Sequence, residues 1–137
     1  MPRYVADRVL LAPVADVWAF LAEPYHLSDW WPGIAGIEPD RRGMEPGARW
    51  KVQGPSYFRK PETPGVLLVR AVVPRERFSF DLVKERLAVD VLLRPEGAGR
   101  THVTVAVDGR FVLGPRRRVA AEAVKRLYDL VQTAAEL

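Results

Sequence analysis

Alternation of apolar and polar side chains in short segments restricts the fold of this chain more than any other feature. In one such segment, Phe78, Phe80 and Leu82 alternate with Ser79 and Asp81. Because successive side chains of a β-strand point to opposite faces, this spacing predicts a strand with one apolar and one polar face. Strands of this kind are typical of an antiparallel sheet that is covered on one side.

Seven segments separated by glycine and proline are predicted as strands. They are residues 4–11, 34–38, 48–53, 66–73, 78–83, 87–93 and 101–111. Alternation assigns the following residues to the apolar face: Trp50, Val52, Phe78, Phe80, Leu82, Leu87, Val89, Val91, Leu93, Val103, Val105 and Val107. The first segment is ambiguous, because Val5, Asp7 and Val9 alternate with Tyr4 and Leu10.

A long amphipathic segment at the C-terminal end is predicted as the helix that covers the apolar face. Proline is favoured at the first position of a helix, so we expect this helix to begin at Pro115, after Gly114. Its apolar stripe consists of Ala120, Ala123, Val124, Leu127, Leu130, Val131 and Ala134. Two short helices are expected after the first strand, one between Pro13 and Pro24 and one within residues 25–31.

The composition fits one folded domain of 137 residues, since 48% of the residues are apolar and 28% are charged. We therefore predict a single α+β domain over residues 1–137. The chain has no cysteine, which excludes disulfides, thiolate metal sites and cysteine nucleophiles. No apolar run reaches the roughly 20 residues that span a bilayer, and the N-terminus lacks a signal-peptide pattern. We expect a cytoplasmic protein without stable membrane insertion.

The segment from Val9 to Gly33, which reads VLLAPVADVWAFLAEPYHLSDWWPG, resembles the start of the SRPBCC superfamily. This group includes polyketide cyclase/dehydrase-like proteins, birch-pollen-allergen-like proteins and lipid-transfer domains of the START type. The resemblance is carried by APVADVW after the first strand and by LSDWWPG further on, and the rest of the chain matches in layout. It implies a helix-grip fold, in which a curved sheet of about seven antiparallel strands wraps the C-terminal helix and leaves a ligand cavity between them.

Aromatic residues are the candidate lining of that cavity, because ligand cavities are mostly apolar with a few polar groups that orient the ligand. The preferred set is Trp31, Trp50, Phe80 and Tyr128, with Tyr57 and Phe58 as further candidates. A buried tyrosine hydroxyl needs a hydrogen-bond partner, which a ligand can supply to Tyr128. The alternative for each of these residues is ordinary core packing.

Few residues are candidates for acid–base catalysis. His26 lies near the tryptophan-rich turn, whereas His102 alternates onto the polar face of its strand. Asp7 suits proton transfer if it faces inward, and it is a solvated charge if it pairs with an arginine at the surface. The sequence contains neither a glycine-rich phosphate loop nor a cluster with metal-ligand spacing, so we predict no metal and no cofactor.

Three arginines, Arg116, Arg117 and Arg118, open the predicted last helix, where the helix dipole disfavours cations. Arg116 and Arg117 are therefore a candidate anion-binding pair for an acidic ligand or a partner such as RNA. The alternative is a solvated helix face, since Arg118 and Arg126 are each spaced for an ion pair with Glu122. The net charge of +4 is too small to decide between these interpretations.

The leading functional expectation is the binding or transport of a small apolar molecule, such as a lipid, isoprenoid, aromatic or polyketide-like compound. The first alternative is a polyketide cyclase or dehydratase that uses the same cavity. The second alternative is an RNA- or protein-binding module. The sequence supports this last alternative least, because it lacks exposed aromatic residues interleaved with basic ones. Both a monomer and a homodimer fit the sequence.

Overall fold

The computed structural model of the chain describes residues 3–54, 65–109 and 118–136, with the side chains of residues 134–136 excepted. The strands are β1 (Arg3–Leu10), β2 (Gly36–Glu38), β3 (Arg49–Gln53), β4 (Gly65–Val73), β5 (Arg77–Leu82), β6 (Leu87–Pro95) and β7 (Thr101–Gly109). The α-helices are α1 (Val14–Leu21), α2 (Leu27–Trp30) and α3 (Val119–Glu136), and a 3-10 turn at Pro24–His26 precedes α2.

The seven strands form one antiparallel sheet in the order β1-β7-β6-β5-β4-β3-β2. The chain leaves β1 at one edge, passes through α1 and α2, and enters β2 at the opposite edge. From there the strands follow one another as neighbours until β7 pairs with β1, from Arg3 opposite Asp108 to Leu10 opposite Thr101. The two short helices therefore connect the two edges of an open sheet.

The inner face of the sheet is apolar, as the alternation predicts. Its buried residues include Trp50, Val52, Phe78, Phe80, Leu82, Leu87, Val89, Val91, Leu93, Val103, Val105 and Val107. In β1, burial decides the face that the sequence left open. Tyr4 and Ala6 are half-buried and Leu10 is fully buried, whereas Val5 and Asp7 are exposed on the outer face.

Helix α3 covers this inner face along β1 and β7 and also contacts α2. The buried side of the helix consists of Ala120, Ala123, Val124, Leu127 and Val131. The predicted helix start at Pro115 and the side chain of Ala134 lie outside the described residues. The predicted α+β helix-grip fold is confirmed. None of the helices in the described ranges is long and apolar enough to cross a membrane.

Charged side chains on the outer face pair with one another across β4, β5 and β6. Arg70 lies at a register shift in β4, and its Nε donates to Asp81 Oδ1 over 2.7 Å. Arg77 donates to Ser79 Oγ over 2.8 Å and to Asp90 Oδ1 over 2.9 Å. Ser79, which the alternation assigned to the polar face, is 0% exposed and donates its hydroxyl to Asp90. The charged side chains of this polar face are therefore bound to one another.

Two strand ends differ from the prediction by two residues, whereas the other described ends differ by at most one. The strand predicted over residues 34–38 begins at Gly36, because the preceding turn contains Gly33 with a φ of 86°, which favours glycine. The strand predicted to end at residue 93 continues to Pro95, which pairs with Thr101 across a short turn. Residues 110–111 of the last predicted strand lie outside the described residues.

Candidate functional site

Five buried aromatic side chains from α2, β3 and β5 form a row on the inner face of the sheet. Trp31 meets Phe80 edge to face with ring centroids 5.6 Å apart, and Trp30 contacts both rings. Phe80 lies 5.0 Å from Phe78, which lies 6.0 Å from Trp50. All five are 2% exposed or less. Contacts of this kind add about 0.5–1.5 kcal/mol per pair beyond the apolar area that they bury, so the row stabilises the core.

The end of α2 places the two neighbouring tryptophans on different walls of the core. Trp30 is the last residue of the helix, whereas Trp31 is extended and donates its backbone N–H to Leu27 over 2.8 Å. The turn at Pro32 and Gly33 then stops the helix. Because the backbone changes direction between them, the two indole rings stand at 87° to each other.

A cleft of about 290 Å³ opens between the sheet and the start of α3. Its walls are the turn after α2, the β5–β6 hairpin and the first residue of α3. The lining residues are Trp31, Pro32, Gly33, Ile34, Leu82, Glu85, Leu87 and Val119. This volume equals about ten water-sized groups and lies near the lower end of the range for small-molecule sites, about 300–1,000 Å³. The cleft therefore has room for a small ligand with an apolar body.

Glu85 is the one charged residue that lines this cleft among the described residues. It lies in the turn between β5 and β6 and is half-buried. Nothing in the sequence distinguishes Glu85, because a glutamate in a polar turn is an ordinary surface residue. Trp31, Glu85 and Val119 are far apart in the sequence but line the same cleft. No sequence pattern links these three positions.

A second, wider cleft of about 620 Å³ lies at the other side of the same hairpin. Its lining residues are Asp81, Leu82, Val83, Arg86, Leu87, Ala88, Asp108 and Gly109. Both of its carboxylates are paired, Asp81 with Arg70 over 2.7 Å and Asp108 with Arg3 over 2.8 Å. Gly109 is the last described residue before residues 110–117. The smaller cleft is therefore the candidate site.

The four preferred aromatic candidates occupy different places. Trp31 lines the cleft, and Phe80 lies directly behind it. Trp50 is farther along the aromatic row, where its Nε1 donates to the carbonyl of Gly43 over 2.8 Å. Tyr128 is half-buried on α3. The guanidinium carbon of Arg8 lies 3.8 Å from the centre of its ring, which joins α3 to β1.

Four other candidates lie outside the described residues: Tyr57, Phe58, Arg116 and Arg117. Their contact with a ligand stays a prediction. Arg118, at the edge of the described range, is exposed.

Neither candidate for acid–base catalysis lines the cleft. The carboxylate of Asp7 lies on the outer face, where its Oδ2 is 2.6 Å from Nε2 of His102. His26 has its Nδ1 2.8 Å from the carbonyl of Phe20, and its ring stacks on the Phe20 ring at 4.3 Å. Since a carbonyl only accepts, Nδ1 of His26 carries the proton. The structure thus pairs Asp7 with a histidine that is 95 residues away, a contact that depends on the register of β1 and β7.

Two aspartates that stabilise the scaffold have shifted pKa values. The backbone N–H of Arg49, 2.9 Å from the carboxylate of Asp40, is the main cause that lowers the pKa of Asp40, and the N–H groups of Arg42 and Gly43 act in the same direction. The pKa of Asp90 also lies below its ordinary value. Partial burial acts to raise this pKa, but the hydrogen bonds from Ser79 and Arg77 and the positive charges nearby lower it by more.

The part of the chain that the structure describes contains no group of three or more histidine, aspartate or glutamate side chains that could hold a metal ion.

Comparison with protein families gives one match over almost the whole chain. The family described as polyketide cyclase / dehydrase and lipid transport matches residues 1–134. No curated protein matches the sequence significantly.

Solved structures of several bacterial proteins share the fold. XoxI from Bacillus cereus superimposes with a TM-score of 0.75 at 9% identity, covering 98% of this chain and 99% of that one. A protein from Nitrosospira multiformis has a TM-score of 0.74 at 17% identity, with 99% and 100% of the two chains covered. A protein from Thermus thermophilus has a TM-score of 0.72 at 16% identity, with coverage of 98% and 99%. At these identities the likeness concerns the fold alone.

Proposed function

This chain belongs to the polyketide cyclase / dehydrase and lipid transport family, and on that premise we propose that it binds a small hydrophobic molecule in the 290 Å³ cleft. The observation that carries the proposal is the lining of the cleft. Apart from Glu85, the described residues around it are apolar side chains and one glycine. Burial of apolar ligand surface against such walls contributes about 25 cal/mol per Å².

The packing of the walls supports binding rather than collapse of the cleft. Trp31 is braced by Phe80, which is 0% exposed, and Leu82 and Leu87 belong to paired strands. A preformed site loses little conformational entropy when a ligand enters. We expect ligands of about ten non-hydrogen atoms to fit, such as small aromatic compounds, short isoprenoids or the end of a lipid chain.

A titration followed by NMR tests this proposal. Phenethyl alcohol, a neutral aromatic probe of suitable size, is added to the 15N-labelled protein, and the indole N–H signal of Trp31 is followed. We expect saturable shifts at Trp31 and at the backbone signals of Leu82, Leu87 and Val119.

Two variants make the test specific. Val119→Phe places a larger side chain in the cleft and is expected to weaken binding at least tenfold. Leu92→Phe makes the same kind of change on the outer face, where Leu92 is 39% exposed, and is expected to leave binding unchanged. Equal binding by both variants would overturn the proposal.

A cyclase or dehydratase is the second candidate function, and the position of Glu85 in the cleft favours it. Such an enzyme needs an acid or base within hydrogen-bond reach of the substrate. Asp7 and His26 lie elsewhere, so Glu85 is the residue that an enzyme of this kind would use. The test is to incubate the protein with a linear polyketide-like substrate and to look for cyclisation or loss of water by mass spectrometry. Activity that survives in Glu85→Gln would exclude this role for Glu85.

A further inference from the structure

We propose that Glu85 makes the cleft selective for ligands that carry a cationic amine, so that the preferred occupant is a small aromatic or aliphatic amine. This inference rests on the proposed function, because the amine is held in the cleft that Trp31 lines.

The position of Glu85 places a negative charge at the wall of the cleft. The residue lies in the turn between β5 and β6, and the adjoining Leu82 and Leu87 are 3% and 5% exposed in the cleft walls. Glu85 itself is half-buried at the same wall. A carboxylate at the border of an apolar site binds a donor or a cation more strongly than a fully solvated one does, because less water competes for it.

Glu85 has no partner within the protein, as far as the described residues extend: its carboxylate makes neither a hydrogen bond nor an ion pair with them. Several carboxylates of the sheet differ in this respect. Asp81 is held by Arg70, Asp90 by Arg77, and Asp108 by Arg3. A carboxylate that accepts no hydrogen bond from the protein is available to a ligand.

The cationic residues nearest to Glu85 in the sequence or at the start of α3 do not line this cleft. Arg86 lines the wider cleft on the other side of the hairpin. Lys84 lies beside Gly65 at the start of β4. Arg118, which precedes α3, is exposed. Because these three cations attract anions to the surroundings of the cleft, the experiment compares a cation, an anion and a neutral molecule of the same shape.

The apolar wall gives a reason to expect an amine with a hydrophobic body. Trp31 and Glu85 line the same cleft of about 290 Å³. An arylalkylamine can therefore pack its ring against the apolar wall while its ammonium group approaches Glu85.

The experiment is a set of NMR titrations with three probes of nearly equal size: phenethylamine, phenethyl alcohol and phenylacetate. Wild type, Glu85→Gln and Glu76→Gln are compared at low ionic strength. Glu76→Gln is the matched control, because Glu76 is an exposed glutamate in the β4–β5 turn. We expect wild type and the control to bind phenethylamine about fivefold more tightly than phenethyl alcohol. Glu85→Gln is expected to lose this preference and to keep its affinity for the alcohol. Added salt should reduce the preference.

The outcomes separate the inference from the proposed function. Equal affinity of wild type for the amine and the alcohol, or tighter binding of phenylacetate, overturns amine selectivity and leaves ligand binding intact. A preference that persists in Glu85→Gln overturns the role of Glu85. If no probe shifts the Trp31 signal, the proposed binding function itself is wrong.

Discussion

On the outer face of the sheet the charged side chains bind one another, whereas in the cleft on the inner side the single carboxylate binds nothing in the described protein. Asp90 accepts from Arg77 and Ser79, and Asp81 accepts from Arg70. Glu85 is only a few residues away along the same hairpin and has no such contact with the described residues. The difference separates charges that stabilise the fold from a charge that is available to a ligand.

The largest effect is expected from Phe80→Ala, which removes the centre of the aromatic row. Phe80 is 0% exposed and touches Trp30, Trp31 and Phe78. Loss of a buried phenylalanine costs about 3–5 kcal/mol of unfolding free energy. Urea denaturation followed by circular dichroism measures the loss. The matched change on the outer face, Leu92→Ala, is expected to cost less than about 1 kcal/mol, and equal losses would show that the aromatic row is not a packed unit.

The next effect concerns Asp90 on the outer face. Asp90→Asn removes the charge that Arg77 and Ser79 bind, which is expected to cost about 1–3 kcal/mol at neutral pH. Because the pKa of Asp90 is lower in the folded chain than in the unfolded one, its contribution is complete above the unfolded pKa of about 3.9 and is lost as the pH falls through the folded pKa.

Urea midpoints measured from pH 7 down to pH 3 test this dependence. Wild type is expected to lose stability below about pH 4, and Asp90→Asn to lose it less steeply. The residual slope in the variant is assigned to the other acidic groups, among them Asp40, whose pKa is also lowered. Identical slopes for the two proteins would contradict the role given to Asp90.

A smaller effect is expected where α3 meets β1. The Arg8 guanidinium lies 3.8 Å from the centre of the Tyr128 ring. A double-mutant cycle with Arg8→Ala and Tyr128→Leu should give a coupling free energy of about 0.5–1 kcal/mol. Affinity for phenethyl alcohol is expected to stay constant in Tyr128→Leu, since Tyr128 does not line the cleft. A weaker affinity in this variant would instead favour the ligand contact that the sequence suggested for Tyr128.

The smallest effect on stability is expected from Glu85→Gln. Because no described residue binds the Glu85 carboxylate, its neutralisation should change the unfolding free energy by less than about 0.5 kcal/mol. The same urea denaturation assay compares this small change in unfolding free energy with the larger loss expected for Asp90→Asn. A large loss in Glu85→Gln would show that its charge stabilises the protein and would remove the contrast between the two carboxylates.

Local patterns in the sequence predict the sheet well. Strand alternation gives the inward direction of Trp50, Phe78 and Phe80, and the apolar stripe gives the buried side of α3. Contacts between distant segments cannot be predicted from these local patterns. The face of Asp7 depends on the register of β1 against β7, and its neighbours in sequence do not determine it. The juxtaposition of Trp31, Glu85 and Val119 likewise requires the whole sheet, so sequence patterns point to Trp31 as a lining residue but not to the other two.

The pairing of β1 with β7 also determines the order in which the strands can pair during synthesis. The first strand leaves the ribosome long before its partner exists, because Leu10 pairs with Thr101 and Arg3 with Asp108. At about 5–20 residues per second, synthesis of the intervening chain takes on the order of ten seconds. During that interval β2 to β6 can pair as consecutive hairpins, whereas β1 has no strand to join. Docking of the first strand is therefore a late event in biosynthesis, and the inner surface that α3 finally covers stays open to chaperones until then.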